Sequence, residues 1–516
     1  MPPQTIAILD FGAQYVQLIA RRIRECHVRS LIFPPAVSPE DLSAGGVIGI
    51  VFSGGPASSY SQDAPRPHPR LLDMQVPILG ICYGMQVACQ QLGANVVAAA
   101  EREFGRTSLQ VLQRDPLLEH VPATTTVWMS HGDVVSGLGD EFVTLARTPN
   151  CPHAVVRHRQ RPVYGVQFHP EVTHTPDGSQ ILRNFLSEVC GAACTWHAGN
   201  IIGERVDDIR RKVADGAQVI CGLSGGVDSS VTAALLHRAV PSRLTCIFVD
   251  NGLLRSGERS RVEAIFKGHF GMDLHVVDAE ERFLSRLAGV TDPQEKRIRI
   301  GHEFIEVFKH EARRIPNAHY LAQGTLYPDV IESGHSTAGA TANIKLHHNV
   351  GGLPAELGFQ LIEPLRDLFK DEVRLIGELL GLPEEIVWRH PFPGPGLAVR
   401  IIGEITRPKC DLLRKADQII IEELTAAGWY RKVAQAFGVL LPVSSVGVMG
   451  DGRSYEEQSA VAVRLVESTD FMTADWVHID PSILAAISSR ITNEVPGINR
   501  VVYDITSKPP GTIEWE

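Results

Sequence analysis

The sequence lacks the features of secreted, disulfide-stabilised and membrane-spanning proteins. Its 516 residues include only nine cysteines, an odd number, and none lies in a Cys-x-x-Cys pair. Neither a disulfide framework nor a zinc knuckle is therefore predicted. No apolar run approaches the roughly 18 residues that span a bilayer. The first residues have no basic segment and reach Asp10 too early for a signal peptide. We therefore expect a cytoplasmic protein with no membrane partner.

The composition is that of an ordinary globular protein with an acidic balance. Apolar residues make up 44% and charged residues 21% of the chain, a typical mix for packed domains. At about 150 residues per domain, the length predicts about three or four domains. There are 49 Lys and Arg against 59 Asp and Glu, a formal net charge of −10. This balance argues against a general nucleic-acid partner, although it leaves room for a local basic pocket.

Short apolar runs alternate with amphipathic helical stretches over most of the chain, which is typical of α/β folds with parallel sheets. A small-residue run at 190–199 and a Pro/Gly cluster at 391–396 interrupt this alternation. We therefore predict two successive parallel-sheet α/β domains, at 5–192 and 198–391, and then a smaller α+β domain at 392–516. The last domain is predicted to contain a strand over 398–405 and a long helix over 409–427.

The clearest chemical signal in the first section is the segment Gly80-Ile81-Cys82-Tyr83-Gly84. An apolar strand precedes it and a helical stretch follows, which is the pattern of a nucleophile elbow with Cys in place of Ser. The N-terminus of the helix favours a thiolate and offers backbone N–H groups to an oxyanion. The simpler interpretation of a single cysteine is a small buried core residue.

Two further strand ends offer the groups that such a cysteine needs. His169 ends a strand-like run and Glu171 follows two residues later, so the imidazole can serve as a base that the carboxylate orients. The Gly-Gly segment at 54–55 also ends a strand and can offer an oxyanion N–H. The three features together favour a catalytic Cys82 over a core residue.

The second signal is a glycine loop at 223–230, Leu-Ser-Gly-Gly-Val-Asp-Ser-Ser, between an apolar run and a helix. Adjacent glycines let backbone N–H groups converge on an anion, and the helix N-terminus adds favourable potential. Asp228 would be repelled by bare phosphate, so its presence suggests a bridging Mg²⁺. The loop lacks the Gly-Lys-Ser/Thr ending of a Walker A motif, which argues against ordinary γ-phosphoryl transfer. The alternative to a phosphate-binding loop is a glycine-rich turn with a purely structural role.

Residues 5–190 resemble the class I glutamine amidotransferase family in two segments, Gly-Ile-Cys-Tyr-Gly-Met-Gln at 80–86 and Gly-Val-Gln-Phe-His-Pro-Glu at 165–171. The resemblance implies that Cys82 attacks the glutamine carboxamide while His169 relays protons. It further implies that Glu171 orients His169, and that Gly55 and Tyr83 provide the oxyanion N–H groups. The products would be ammonia and glutamate, formed through a thioester.

The loop Ser-Gly-Gly-Val-Asp-Ser-Ser resembles the signature of the ATP pyrophosphatase family, which cleaves ATP between its α and β phosphates. The chain as a whole resembles the glutamine-hydrolysing GMP synthase family, through segments such as Arg-His-Pro-Phe-Pro-Gly-Pro-Gly at 389–396 and the stretch 508–516. That resemblance implies amination of xanthosine monophosphate (XMP) to GMP, with Mg²⁺ and ATP, in a homodimer formed by the last section.

The same resemblance assigns the substrate contacts. The implied ATP contacts are Ser224, Gly225, Gly226, Val227, Asp228, Ser229, Ser230, Val249, Asp250 and Lys345, with Asp228 also a metal ligand. The implied XMP contacts are Arg297, Gln435, Lys508 and Glu514. Leu346 stands where the family usually has Ser in the lysine segment, so the sequence does not define the contacts around Lys345.

Two other functions fit parts of the sequence. One is a different synthetase that couples an amidotransferase to an adenylating domain and aminates another oxygen. The stretch Lys508–Glu516 discriminates against it, because the resemblance assigns that stretch to XMP. The other is a catalytically silent assembly or regulatory protein that uses both domains for ligand binding. The intact Cys82, His169 and Glu171 argue against that function.

Overall fold

The computed structural model describes residues 3–13, 15–334, 358–449, 452–468, 471 and 473–516. The chain divides into two compact units, Met1–Ile201 and Ile202–Glu516. Residues of the second and third predicted domains lie together in the second unit, so their separation at 391–392 stays a prediction. Across the described ranges, no helix is long and apolar enough to cross a membrane.

The first unit is built on a nine-stranded sheet with the order β2-β1-β3-β4-β9-β8-β7-β5-β6. The five strands from β2 to β9 are parallel, whereas the remaining pairs are antiparallel. The strands are β1 (Thr5–Leu9), β2 (Arg29–Phe33), β3 (Val47–Phe52), β4 (Ile78–Ile81), β5 (Asn95–Val111), β6 (Thr124–Gly137), β7 (Phe142–Arg147), β8 (Val155–His158) and β9 (Val163–Val166). The helices are α1 (Val16–Glu25), α2 (Pro39–Ala44), α3 (Tyr83–Gln91) and α4 (Gly178–Asn184).

The parallel strands of the first unit are short apolar runs that helices cover. All five residues of β1 are buried, as are all four of β4 and of β9, which is why these segments read as continuous apolar runs. Their register places the carboxyl ends of β3, β4 and β9 side by side. Any residues that follow these strands are thereby brought to one edge of the sheet.

The second unit contains a five-stranded parallel sheet with the order β12-β11-β10-β13-β14. Its strands are β10 (Gln218–Gly222), β11 (Leu244–Asp250), β12 (Asp273–Asp278), β13 (Ala318–Ala322) and β14 (Gln360–Ile362). The helices around it are α5 (Ala198–Lys212), which crosses the unit boundary, α6 (Val227–Ala239), α7 (Glu258–Val262), α8 (Glu280–Leu287), α9 (Pro293–Ala312), α10 (Tyr327–Gly334), α11 (Lys370–Leu379) and α12 (Glu384–Val387). The strand order reverses direction at β10, where open α/β sheets bind their ligands.

A smaller antiparallel sheet follows in the same unit. A long hairpin joins β15 (Gln435–Met449) to β16 (Gly452–Glu467), and β16 also pairs with β17 (Asp475–Trp476) and, in parallel, with β18 (Ile498–Tyr503). Its helices are α13 (Arg407–Ala426) and α14 (Pro481–Glu494). The predicted α/β class with a smaller α+β section is thus confirmed, although the antiparallel half of the first sheet was not predicted.

The prediction of a strand over 398–405 is wrong. A 3-10 turn occupies Gly396–Val399, and Ile401 makes an isolated bridge to Leu440. Gly396 has a φ of 62°, and an added Cβ there would lie 2.4 Å from the carbonyl oxygen of Leu253. The run is apolar because it is buried as a packed turn, and a short apolar run does not by itself distinguish a turn from a strand.

Candidate functional site

Cys82 occupies a sharp turn between β4 and α3. Its φ of 52° and ψ of −109° lie in a region that side-chain-bearing residues rarely adopt. A Cβ added to Gly80 would lie 2.5 Å from the backbone nitrogen of Met85, and a Cβ added to Gly84 would lie 2.3 Å from the carbonyl oxygen of Phe52. Both flanking glycines are therefore needed for this turn, which has the elbow geometry that the sequence predicts.

The sulfur of Cys82 lies in a polar, nearly closed environment. The residue is 6% exposed, and its N–H donates to the Val166 carbonyl across the β4–β9 pair at 2.8 Å. The Gln167 side-chain Nε2 donates to Sγ at 3.6 Å, and Sγ lies 3.7 Å from the carbonyl oxygen of Ser130. Gln167 and Ser130 were not predicted; Gln167 directly follows β9, which pairs with β4, whereas Ser130 lies on β6, which does not pair with β4.

His169 follows β9 and pairs with Glu171. Its Nδ1 lies 2.7 Å from Glu171 Oε1, and both residues are buried. The His169 N–H donates to the Trp128 carbonyl at 3.0 Å, and the Thr175 hydroxyl donates to the His169 carbonyl at 2.7 Å. These bonds fix the backbone that carries the imidazole.

Electrostatics favour a protonated His169. Burial lowers its pKa, but the hydrogen bond to Cys82, followed by the hydrogen bond and charge of Glu171, outweighs burial and raises the pKa to about 10. The imidazole is therefore charged at neutral pH, beside the Cys82 sulfur. The structure brings together the three residues that the sequence predicts as a catalytic group.

The two predicted oxyanion donors also lie at this edge of the sheet. An added Cβ on the neighbouring Gly54 would lie 3.3 Å from His169 Cε1 and 4.0 Å from Cys82 Cβ. On Gly55 it would lie 2.7 Å from the Phe11 carbonyl oxygen, so only glycine fits there. Tyr83 is the first residue of α3, where a backbone N–H has no partner within the helix.

A second buried histidine–carboxylate pair lies on β5 and β6. His131 Nε2 is 3.4 Å from Glu103 Oε2, and the Thr148 hydroxyl donates to both Glu103 oxygens at 3.0 and 3.1 Å. Burial is the main cause that lowers the pKa of His131, against the raising effect of Glu103. His131 follows Ser130, but nothing local in the sequence distinguishes it from an ordinary strand histidine.

The glycine loop joins β10 to α6 and gathers hydroxyl groups at the helix N-terminus. Ser224 Oγ and Ser229 Oγ are 3.0 Å apart, and the Ser224 N–H donates to Ser229 Oγ at 3.1 Å. The hydroxyls of Ser229 and Ser230 both donate to the Gly226 carbonyl, at 3.2 and 2.7 Å, but Ser230 differs in being fully buried. Gly225 has a φ of 73°, which explains the glycine. Val227 is buried as the first residue of α6.

The acids near the loop have cationic neighbours. Lys370, at the start of α11, places Nζ 3.9 Å from Asp228 Oδ2, and sequence reasoning missed it. Asp250 ends β11 and lies 3.6 Å from Arg259, while Val249 is 5% exposed. Lys345 lies outside the described residues.

The predicted Mg²⁺ ligand is compatible with the donor chemistry of the loop. Asp228 supplies a carboxylate, and Ser224 and Ser229 supply hydroxyls; hard oxygens of this kind suit Mg²⁺, which needs few protein ligands when a nucleotide brings its phosphates. Within the described ranges no group of three or more His, Cys, Asp or Glu forms a preformed metal site.

The predicted XMP residues fall into separate places in the second unit. Gln435 Nε2 donates to Glu514 Oε1 at 2.7 Å. Arg400, which is fully buried, holds both oxygens of the same carboxylate at 2.8 and 3.0 Å. Arg297 donates to the backbone oxygen of Glu516. Lys508 instead donates to the Phe471 carbonyl at 2.7 Å. Of the predicted XMP residues, the structure thus brings Gln435 and Glu514 together. It also places Arg400 beside them, a residue that the sequence analysis did not single out within the apolar run at 398–405.

Comparison with known proteins gives family matches in both units. The model described as "Glutamine amidotransferase class-I" matches residues 7–189, "NAD synthase" matches 201–299, and "GMP synthase C terminal domain" matches 422–515. The chain is 55% identical to "GMP synthase [glutamine-hydrolyzing]" of Thermobifida fusca, over 99% of this chain and 98% of that protein. It is 54% identical to the protein of that name from Aquifex aeolicus, over 100% of both. A solved structure from Thermoplasma acidophilum, named for one subunit of a GMP synthase, is 33% identical, covering 37% of this chain and 96% of that one, with a TM-score of 0.33.

Proposed function

Since the chain belongs to the glutamine-hydrolysing GMP synthase family, we propose that it aminates XMP to GMP with ammonia taken from glutamine. The overall reaction is ATP, XMP and glutamine, with water, giving GMP, AMP, pyrophosphate and glutamate. The observation that carries the proposal is that one chain holds two sites. One is a Cys–His–Glu group whose cysteine lies on an elbow, and the other is a serine-bearing glycine loop that follows β10, where the strand order of its sheet reverses.

The first half-reaction takes place at Cys82. The thiolate attacks the carboxamide carbon of glutamine, and His169 transfers a proton to the departing nitrogen, which leaves as ammonia. A water molecule, deprotonated by His169, then hydrolyses the thioester to glutamate and restores the thiolate. Glu171 keeps the imidazole oriented through the 2.7 Å contact. The backbone N–H groups of Gly55 and Tyr83 stabilise the negative oxygen of each tetrahedral intermediate.

The second half-reaction takes place at the glycine loop. The oxygen on C2 of the xanthine ring attacks the α-phosphorus of ATP, and pyrophosphate leaves. Ammonia then attacks C2 and displaces AMP, so that C2 carries the amino group of GMP. N–H groups of 225–227 and the hydroxyls of Ser224 and Ser229 hold the phosphates, and Lys370, 3.9 Å from Asp228, adds positive charge. Asp228 and the serine hydroxyls would hold Mg²⁺, which neutralises phosphate charge when bound.

The XMP contacts are proposed at Arg297, Gln435, Lys508 and Glu514. The pair of Gln435 and Glu514 presents an amide and a carboxylate to the donors and acceptors of a base or ribose. Arg297 and Lys508 are cations suited to a phosphate, but each donates to a backbone oxygen here. A guanidinium has five N–H donors and an ammonium three, so each residue can keep that bond and still donate to a phosphate.

We also propose a homodimer formed by residues 392–516, in the cytoplasm. Exposed apolar side chains on the long hairpin support a self-association surface: Val443 is 53% exposed and Val446 is 59% exposed. All nine cysteines are free thiols, which suits a reducing compartment. Three domains at 5–192, 198–391 and 392–516 remain the proposed division.

Incubation with XMP, Mg·ATP and glutamine tests the function directly. Chromatography should resolve GMP and AMP in equal amounts. With ¹⁸O at C2 of XMP, the label should appear in AMP, because the adenylated oxygen leaves with the α-phosphate. Formation of ADP, or label in inorganic phosphate, would contradict adenylation. If XMP is not aminated but another nucleotide supplied in its place is, the other type of synthetase is favoured.

A further inference from the structure

Arg389 connects the glycine loop to the Pro/Gly segment of the second unit. Its Nη1 donates to the Gly225 carbonyl oxygen at 2.8 Å, and its Nη2 forms an ion pair with Glu258 on α7. The side chains of Arg389 and Glu258 are only 9% and 2% exposed. Such a buried pair is held in one geometry, because leaving either charge unpartnered away from water is costly.

The contact to Gly225 determines the direction of a peptide group in the loop. In a planar trans peptide the C=O and the following N–H point in opposite directions. With the Gly225 carbonyl turned toward Arg389, the N–H of Gly226 points the other way, toward Ser224 Oγ at 3.4 Å. That is the side where the hydroxyls of Ser224 and Ser229 meet.

The guanidinium also packs directly on the loop. An added Cβ on Gly225 would lie 3.1 Å from Arg389 Nη1. The centroid of the Phe392 ring lies 5.5 Å from the guanidinium carbon of Arg389, within the range of a cation–π contact. The loop conformation is therefore held from outside the loop, by a residue about 160 positions later in the chain.

We propose that Arg389 is a positioning residue for the phosphate-binding loop: by holding the Gly225 carbonyl away, it keeps the Gly226 N–H directed at the phosphates of ATP. The proposal rests on the proposed function of that loop. Without Arg389 the Gly225–Gly226 peptide is free to turn, and the loop would present a carbonyl dipole to an anion. Arg389 acts through the loop, because the groups that its guanidinium binds are the Gly225 carbonyl and Glu258.

The same segment reaches the proposed XMP residues. The Pro391 carbonyl, two positions after Arg389, accepts a hydrogen bond from Gln435 Nε2 at 3.2 Å. A disturbance of Arg389 that merely loosens the segment should therefore affect XMP as strongly as ATP. A positioning role predicts instead that ATP and pyrophosphate are affected more than XMP.

The test compares Arg389→Met, Arg389→Lys and Glu258→Gln with a matched control, Arg255→Lys. Arg255 is also nearly buried and lies 5.3 Å from the Phe392 ring, but it pairs with Asp417 and the Ala436 carbonyl rather than with the loop. Ammonium replaces glutamine, so that only the second half-reaction is measured. Calorimetric binding of pyrophosphate to each protein reports on the loop without turnover.

Loss of one well-placed charge-assisted hydrogen bond should raise the KM for ATP and the Kd for pyrophosphate in Arg389→Met by about 10- to 100-fold. Arg389→Lys should lie between, because an ammonium can reach the carbonyl but cannot also hold Glu258. Glu258→Gln should shift both constants in the same direction, and Arg255→Lys should leave them within about twofold.

Unchanged pyrophosphate binding in folded Arg389→Lys and Glu258→Gln proteins would overturn the proposal, as would equal losses for ATP and XMP. Thermal melting of each variant checks that it is folded. If Arg389→Met does not fold, the Arg389→Lys and Glu258→Gln variants decide the result. Wild-type protein that binds pyrophosphate but makes no GMP would contradict the proposed function and leave the positioning role intact.

Discussion

Replacing Glu171 by Gln should lower the pKa of His169. The wild-type pKa is about 10, against the ordinary value of 6.5, a shift that favours the imidazolium by about 5 kcal/mol at about 1.4 kcal/mol per unit. Burial opposes this charge, so the shift depends on the hydrogen bonds to Cys82 and Glu171. Removing one charge-assisted contact worth about 1.5–3 kcal/mol should lower the pKa by about 1–2 units.

The direct measurement is an NMR titration of histidine-labelled protein, with Glu171→Gln beside the wild type. Because the raised pKa keeps the proton on His169 up to about pH 10, the wild-type signal should stay unchanged from pH 6 to pH 9. The mutant signal should begin to move within that range. His153 provides an internal control whose titration should hardly change, because its pKa is lowered by burial alone.

Kinetics should report the same proton. The alkaline limb of kcat/KM for glutamine hydrolysis should move to lower pH in Glu171→Gln, because the form with a protonated His169 is lost earlier. A wild-type His169 that titrates near 6.5, or a mutant whose titration matches the wild type, would refute the assignment of Glu171 as the group that supports the imidazolium.

Three further changes test other parts of the molecule. Cys82→Ala should abolish glutamine-dependent GMP formation while high ammonium still supports it; retained glutamine activity would contradict the elbow assignment. Lys508→Ala should raise the KM for XMP by about tenfold or more and leave the KM for glutamine unchanged, whereas a structural lysine would alter neither. Burial lowers the pKa of His390 to about 4 in the folded protein, whereas the unfolded chain keeps the ordinary value of 6.5. Stability present above pH 6.5 should therefore fall by about 3 kcal/mol as pH drops through 4, and urea titrations should show a smaller fall in His390→Gln.

The sequence was sufficient for the parts of the sites that are local in the chain. Cys82 lies within four residues of both glycines that its turn needs, so a strand, a turn and a helix in succession predict the elbow. His169 and Glu171 likewise follow one strand. Parallel pairing then brings the strand ends together, because the carboxyl ends of neighbouring parallel strands share one edge.

The missed residues contact their partners only through tertiary packing. Ser130 reaches Cys82 from the antiparallel half of the first sheet, which no local pattern predicted. Arg400 lies inside an apolar run that resembles a strand, yet it binds a carboxylate 114 positions later in the chain. Arg389 and Lys370 similarly act on a loop about 140 to 165 positions earlier. Charge pairs at such separations have no sequence period from which they can be predicted.

The two loops also differ in how they adopt a positive φ, and this difference gives a last prediction. Gly225 takes a φ of 73° without a side chain, whereas Cys82 takes 52° with one, a strain of about 1–3 kcal/mol. Cys82→Gly should relieve the strain, although the more flexible unfolded chain offsets about 0.4–1 kcal/mol of the gain. Cys82→Ala keeps the Cβ and hence the strain.

Calorimetric melting should therefore show the first unit of Cys82→Gly unfolding at a temperature at or above that of Cys82→Ala, although glycine normally destabilises a packed element by about 0.5–1 kcal/mol relative to alanine. Neither variant can form the thioester, so both should depend on added ammonium. If Cys82→Gly melts well below Cys82→Ala, the cysteine is not strained in solution, and the turn that presents its sulfur has a different backbone conformation.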